Sequence, residues 1–435
     1  MSAEVLLIES LDLEARGVAR RDGKVVFVEG ALPTEKVSAR TVRTKPSYEV
    51  ARLEVIHRES AARVKPRCPH FGVCGGCVMQ HLDASAQVAV KQRALEDSLV
   101  HIGAVKPERV LPPLHGPTWG YRFRARLSVK WVAKKDTVLV GFHERKSSFV
   151  ADIKTCHVLT PHVASLLMPL RQMVRELSAP DKVPQIEVSV GDQVTALVLR
   201  HMMPLTDSDT NVLRTFALQH NIQWWLQSKG PDTVHAMEPE HEAQLAYTLP
   251  EFGLRMPYRP TDFTQVNHHI NRALISRALN LLGVLKTDRV ADMFCGLGNF
   301  TLPLATQAAE VIGVEGSKML TDRAQQAALE ANIQNAQFQT LNLFEVDLTW
   351  LNSLGHFDRM LIDPPREGAQ ALCAALAQLP KADRPVRIVY VSCNPATLAR
   401  DAAMLVTEGG YTLKAAGVVN MFPHTGHVES IAVFE

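Results

Sequence analysis

The sequence lacks the features that would commit it to a membrane, to secretion or to a fibrous state. None of its 435 residues falls in an apolar run near the ~20 residues that a membrane-crossing helix requires. The first residues, MSAEVLLIESLDLEARG, have no basic leader and only a brief apolar stretch, which predicts no secretory signal and a cytoplasmic protein. Seven cysteines, three of them within ten residues, do not make a disulfide framework in a chain this long. They read as a metal site plus isolated thiols in a reducing compartment. No internal repeat or low-complexity segment is present, which excludes solenoids and disordered arrays. With 46% apolar and 21% charged residues the chain is globular, and its length fits roughly three domains of ~150 residues.

Net charge is also missing, but only on average. The 47 basic and 45 acidic side chains leave +2. Residues 1–150 hold 25 basic and 16 acidic side chains, a net +9, and residues 151–435 hold 22 and 29, a net −7. A basic front points to a polyanionic partner, and the acidic rear to an ordinary enzyme.

Local patterns divide the chain into 1–59, 60–261 and 262–435. Residues 5–9, 24–28, 36–44 and 49–56 are β-rich and Arg20–Gly23 supplies a tight turn, so about five short strands predict a small barrel. Eight basic residues between Arg16 and Lys45 suit RNA. A Pro/Cys/Gly-rich link follows, then a predicted helix over 84–99. The middle reads as a sheet, with strands near 126–132, 138–142, 186–190 and 194–199, a turn at Gly191-Asp192 and one helix near 162–177. From about residue 262, strands at 289–294, 311–315, 359–362, 387–392 and 430–434 alternate with helices. That alternation predicts a doubly wound, mostly parallel sheet.

Three motifs fall at strand ends of that last segment. Asp292-Met-Phe-Cys-Gly-Leu-Gly-Asn-Phe300 leaves a strand through glycines that let the backbone approach a ligand. Thr301 stands where a dinucleotide fingerprint would have its third glycine, and Glu315 ends the next strand, positioned for ribose hydroxyls. The pair favours S-adenosylmethionine over NAD. Asp363-Pro-Pro-Arg366 ends another strand, and Arg366 occupies the place where amino-group methylases carry an aromatic residue, which argues against N-methylation. Ser392-Cys393-Asn-Pro395 puts a thiol at a third strand end, whereas Cys295 and Cys373 read as core. A pyrimidine C5 is a poor nucleophile; thiolate addition at C6 makes an enolate that can take a methyl group, and a base must then remove the C5 proton. The terminal Phe422-Pro-His-Thr-Gly-His-Val-Glu429-Ser430 offers Glu429 as that base.

Cys68-Pro-His-Phe-Gly-Val-Cys74-Gly-Gly-Cys77 needs a fourth ligand, and Cys156 is the one cysteine left outside the last segment. Zinc and iron–sulfur are about equally reasonable on chemistry alone, with His70, His81 or His157 as substitutes. The spacing is not that of radical adenosylmethionine enzymes. Arg122, Arg124, Arg126 and Lys130 fall on alternate positions of one strand, a basic ribbon extended by Lys134, Lys135, Arg145 and Lys146 for RNA phosphates. Phe263 is a stacking partner for a uracil that has left its stack.

DMFCGLGNF, DPPR, SCNP and HVES together resemble the bacterial RNA uracil-C5 methyltransferases, and the likeness extends upstream through Thr261-Asp-Phe-Thr-Gln265-Val-Asn267. The resemblance implies Cys393 as nucleophile and Glu429 as base. It implies Gln265, Phe294, Asn299, Glu315, Asn342 and Asp363 around adenosylmethionine, with Asp363 also reaching the uracil edge. It further implies a [4Fe–4S] cluster on Cys68, Cys74, Cys77 and Cys156. The fold it implies is an N-terminal TRAM- or OB-like barrel, a central β-sheet domain carrying the cluster, and a C-terminal Rossmann-like methyltransferase domain. A barrel plus a cluster implies 23S rRNA as substrate and a monomeric enzyme. The rivals are a tRNA uracil-C5 methyltransferase and a non-catalytic iron–sulfur RNA-binding protein.

Overall fold

A computed structural model describes residues 5–435. The N-terminal module is a six-stranded sheet curled into a half-barrel, ordered Val5–Leu7, Lys36–Thr44, Tyr48–Arg58, Lys24–Glu29, Arg16–Arg21, Ser10–Leu11. Alternate small and branched residues fill it, among them Leu6, Ile8, Ala19, Val26, Val28, Val37 and Ala51. The expected turn joins the middle hairpin, where Arg21 pairs with Lys24 and both Asp22 and Gly23 have positive φ, the geometry of a two-residue β-hairpin. Arg16–Arg21 is a strand that the expected set omitted. The module rests on the C-terminal segment: a side-chain carbon at Gly426 would overlap the carbonyl of Leu13, so the two backbones touch.

The central sheet runs His235–Ala236, Gln223–Gln227, Thr195–Arg200, Gln185–Val190, Arg124–Val132, Thr137–Gly141. The expected hairpin at Gly191-Asp192 is present, with Val190 opposite Thr195. The expected helix divides into Pro161–Ser165 and Leu167–Glu176. A second helix, Asp207–His220, was not expected; Thr206 and Asp209 cap it reciprocally, and it carries the chain to the parallel strand Gln223–Gln227.

The C-terminal sheet has eight strands. From one edge they are Ala336–Thr340, Glu310–Glu315, Arg289–Met293, Arg359–Ile362, Arg387–Ser392, Glu429–Phe434, Leu413–Val419 and Arg109–Val110. The first five are parallel, as the strand–helix alternation predicts, and Glu429–Phe434 enters antiparallel beside Arg387–Ser392. Two stretches from the middle of the chain complete this body. Helix Ala84–His101 packs on helix Pro395–Ala403 and strand Leu413–Val419, with Gly103 so close to the carbonyl of Ala399 that a Cβ would sit 2.5 Å from it. The hairpin Ala246–Leu249/Leu254–Pro257 contributes Tyr247, Leu249, Leu254 and Met256 to the same core as Leu274 and Ile275. No described helix is long and apolar enough to cross a membrane.

Candidate active site

The carboxyl edge of the eight-stranded sheet carries the site. Strand Arg289–Met293 ends in a turn where Phe294, Gly296 and Gly298 all have positive φ, at +65°, +54° and +81°. Phe294 pays a steric cost that glycine avoids, and such strain collects at functional sites. Glu315, at the end of the next strand, accepts from the backbone N–H of Gly296 at 3.2 Å and of Ser317 at 3.0 Å, so its carboxylate spans two loops. The Asn299 amide is fixed by Asn271, which exchanges hydrogen bonds with it at 2.9 and 3.0 Å, and by the Tyr247 hydroxyl at 2.8 Å. Gly296, Asn299, Tyr247 and Glu315 line a cavity of about 570 Å³ with Gln265, Phe294, Asn342, Asp363, Cys393 and Glu429. All eight residues expected for cofactor or chemistry therefore meet in one space.

The antiparallel register brings a thiol and a carboxyl together. Ser392 is opposite Ser430, so the residues that follow and precede them, Cys393 and Glu429, lie side by side at the strand ends. Burial and the nearby Glu429 and Asp363 carboxyls push the Cys393 thiol up to about 12, against the Arg366 guanidinium. Burial and Asp363 hold Glu429 well above the usual carboxylate range. Burial likewise raises Asp363 to about 7. It raises Asp292 to about 7 too, although Thr301 donates to that carboxylate at 2.5 Å. Cys295 and Cys373 are buried and their thiols are pushed well up by burial, as core cysteines.

Arg366 is fixed through its own carbonyl, which accepts from Asn394 at 3.1 Å and Thr397 at 3.2 Å. Its guanidinium donates to His427 Nδ1 at 3.0 Å, which puts the ring proton on Nε2. Burial and that same guanidinium lower the His427 pKa. Neither His427 nor Tyr247 and Asn271 figured in the expected site. His427 is visible in FPHTGHVES, but Tyr247 and Asn271 come from distant elements and carry no motif.

The basic ribbon divides in three. Arg122 precedes the strand and lines the cavity. Arg124 turns inward, where burial lowers its pKa, and donates to the Pro260 carbonyl and to Thr264 Oγ1. Arg126 faces outward in an ion pair with Glu187 at 3.1 Å, and Lys130 is exposed. Arg124 is thus a clamp on the loop that presents Phe263 and Gln265, since the Pro260 carbonyl and the Thr264 hydroxyl both accept from it. Asp262 holds the loop from the other side by accepting from the Arg259 N–H at 2.7 Å and pairing with Arg323. Phe263 stays 71% exposed at the cavity mouth. The N-terminal module carries less positive charge than its eight clustered cations implied. Residues 1–58 hold ten basic and nine acidic side chains, and Arg16, Arg21 and Arg40 pair with Asp12, Glu49 and Glu54.

Cys68, Cys74, Cys77 and Cys156 line a second cavity, of about 690 Å³, which shares Arg122 and His427 with the first. Burial pushes Cys77 up to about 12 and Cys156 up to about 11; Cys68 and Cys74 add to both shifts, and Cys156 adds to that of Cys77. Among the described residues no three or more His, Cys, Asp or Glu side chains gather as closely as one metal ion requires. His70 accepts from the Lys154 N–H at 3.1 Å, and His81 is buried beside Phe71; His157 lines the cavity.

Comparison with known proteins agrees with this geometry. The model of the tRNA (uracil-5-)-methyltransferase family matches residues 83–435. The 23S rRNA (uracil(1939)-C(5))-methyltransferase RlmD of Bordetella avium is 72% identical over 100% of this chain and 92% of its own length. The enzyme of the same name from Cupriavidus pinatubonensis is 61% identical, over 100% and 96%. The solved tRNA (uracil-54, C5)-methyltransferase of Pyrococcus abyssi, in complex with S-adenosyl-L-homocysteine, superposes with a TM-score of 0.75. It is 23% identical, over 99% of this chain and 100% of that one, a likeness of fold.

The buried carboxyls predict a pH slope. Folded Asp363 keeps its proton to about pH 7, whereas an unfolded Asp loses it near ~4. Between those values the folded chain binds more protons than the unfolded one, so stability falls as pH rises. In ligand-free protein, Asp363→Asn should flatten that fall by up to ~1.4 kcal/mol per pH unit. Urea denaturation at pH 5 and 7 measures it; equal slopes for variant and parent would show that Asp363 ionises normally.

Proposed function

The chain belongs to the tRNA (uracil-5-)-methyltransferase family, and from that premise we propose that it transfers the methyl group of S-adenosylmethionine to C5 of a uridine in 23S rRNA. The observation that carries the reaction is the Cys393–Glu429 pair on adjacent strand ends, facing the cavity that Gly296 and Glu315 also line. The choice of 23S rRNA rests on relatives that carry that name and match the whole chain, including residues 1–82, which the family model does not cover.

Glu315 would take the ribose hydroxyls of adenosylmethionine, while Phe294, Asn299, Asn342 and Gln265 line the remainder of its pocket. When bound, adenosylmethionine supplies an electrophilic methyl group and leaves as adenosylhomocysteine. Phe263 stacks on the extruded uracil and Asp363, protonated below about pH 7, donates to its edge. The Cys393 thiol must lose its proton before it attacks; Glu429 and Asp363 oppose that loss and Arg366 favours it. The thiolate adds to C6, and the C5–C6 electron pair moves to C5 and O4 as an enolate. After C5 is methylated, ionised Glu429 takes the C5 proton. The C5–C6 double bond re-forms and Cys393 departs as thiolate.

The four cysteines hold a [4Fe–4S] cluster in this reading. Four thiols around one cavity match the four-cysteine ligand set of such a cluster, which would also ionise them. The cluster braces the central domain beside the catalytic cavity, and the reaction asks no electron of it. A monomer acting in the cytoplasm completes this reading. Residues 1–59, 60–261 and 262–435 serve as RNA-binding module, cluster and RNA domain, and methyltransferase domain, except that helix Ala84–His101 and hairpin Ala246–Leu249/Leu254–Pro257 join the methyltransferase domain.

Cys393→Ala should abolish methylation and any denaturant-stable adduct with 5-fluorouracil RNA; a surviving adduct would remove Cys393 as nucleophile. Glu429→Gln should form an adduct that resolves at least ~100-fold more slowly, and normal turnover would remove Glu429 as base. Protein purified without oxygen should contain iron and acid-labile sulfide in equal amounts, both lost in Cys156→Ala. Zinc without sulfide would contradict the cluster.

A further inference from the structure

Phe149 and Phe263 are the most exposed aromatic side chains among the described residues, at 73% and 71%. The proposed reaction uses Phe263, but nothing so far uses Phe149. It lies at the end of a tight hairpin, 143–149, whose shape is fixed by its own hydrogen bonds. The Glu144 N–H donates to the Phe149 carbonyl at 2.8 Å, the Phe149 N–H donates to Ser147 Oγ at 3.0 Å, and His143 Nδ1 meets the Ser148 carbonyl at 3.0 Å. The hairpin is also stitched to the cysteine loop. The Gly75 N–H donates to the His143 carbonyl at 2.8 Å, and the Arg145 N–H to the Val73 carbonyl at 2.8 Å. An exposed ring on a rigid mount loses little freedom when something stacks on it.

The surroundings limit what that something is. Val73 is the other exposed apolar side chain of these two joined loops, so the apolar area fits one flat ring and falls far short of a protein interface. Arg145 and Lys146 adjoin Phe149 in the hairpin, Lys146 in an ion pair with Glu29, and Arg67 and Lys154 are exposed on the loops that carry Cys68 and Cys156. The hairpin residues 142–146 line the cysteine cavity, and that cavity shares Arg122 and His427 with the catalytic one. The two cavities therefore adjoin at Arg122 and His427, with Cys393 on one side and the hairpin on the other.

We propose that Phe149 is a second base-stacking post, which holds an unpaired nucleobase of the same RNA strand that presents the target uridine. The inference rests on the functional reading above. One base marks the reaction centre at Phe263, and a second, further along the strand, is gripped at Phe149 with the intervening phosphates towards Arg122 and Arg145. Two posts on one strand fix its direction as well as its position.

The test uses the full chain and a 23S rRNA fragment that it methylates, at fixed salt. Phe149→Ala should raise the Kd for RNA about tenfold. It should raise KM without lowering kcat at saturating RNA, and leave the thermal melt and the Kd for adenosylmethionine unchanged. Phe149→Trp, which restores a ring, should bind within about twofold of the parent. The slope of log Kd against log salt should not change, because stacking releases no counterions. A Phe149→Ala protein that binds as tightly as the parent would overturn the inference and leave the functional reading standing. A lowered salt slope, or failure of Trp to rescue, would also overturn it. A parent that methylates no 23S fragment would overturn the functional reading first.

Discussion

The antiparallel pairing of Glu429–Phe434 against Arg387–Ser392 is the constraint on which the site depends. In a parallel neighbour the first residue of the strand, Glu429, would lie at the opposite edge of the sheet. Reversing one strand lets the start of the last strand meet the end of the previous one. Ser430 then faces Ser392, and the thiol and carboxyl that flank them share one cavity. The register is secured by burial along the pair, since Ile388, Val389, Tyr390 and Val391 face Ile431, Ala432, Val433 and Phe434. A slip of one residue would turn every side chain of the strand to the other face of the sheet. It would also separate Cys393 from Glu429.

Electrostatics at that edge are costly by construction. Burial raises Asp292, Asp363 and Glu429, and the Asp363 carboxyl adds to the shifts of Asp292 and Glu429. Arg366 is the cation nearest to Cys393 and is itself tied to His427. Such a site is ill-suited to rest ionised and well-suited to receive positive charge, and a sulfonium brings it. The same logic separates the two cavities. In one, carboxyls await a cationic ligand; in the other, four thiols line the wall, and the proposed cluster would ionise them.

Much of the site was legible because its chemistry sits at strand ends, where short motifs carry it. DMFCGLGNF, DPPR and SCNP each fall at the carboxyl end of a strand, and all eight residues read from them or from the flanking segments line one cavity. What escaped was whatever depends on contacts between distant segments. Helix Ala84–His101 reads correctly as a helix, but nothing in its pattern says that it packs on the catalytic sheet. Arg124 keeps the alternation of a basic ribbon yet turns inward, because the Pro260 carbonyl and Thr264 wait there. Charge misled in a similar way. The cations of the half-barrel are matched by its own carboxylates, so the positive excess lies in residues 59–150, fifteen basic side chains against seven acidic. Helix Asp207–His220 was missed although Thr206 and Asp209 form a capping box that signals its start.

The central claim is that Cys393 and Glu429 exchange the C5 proton of a uridine for a methyl group. Release of tritium from a 23S rRNA fragment labelled at uridine C5, followed together with transfer of a labelled methyl group, tests that claim most directly. The account predicts one tritium lost to water for each methyl group gained. Methyl transfer without tritium release would put the methyl group on another atom and contradict it.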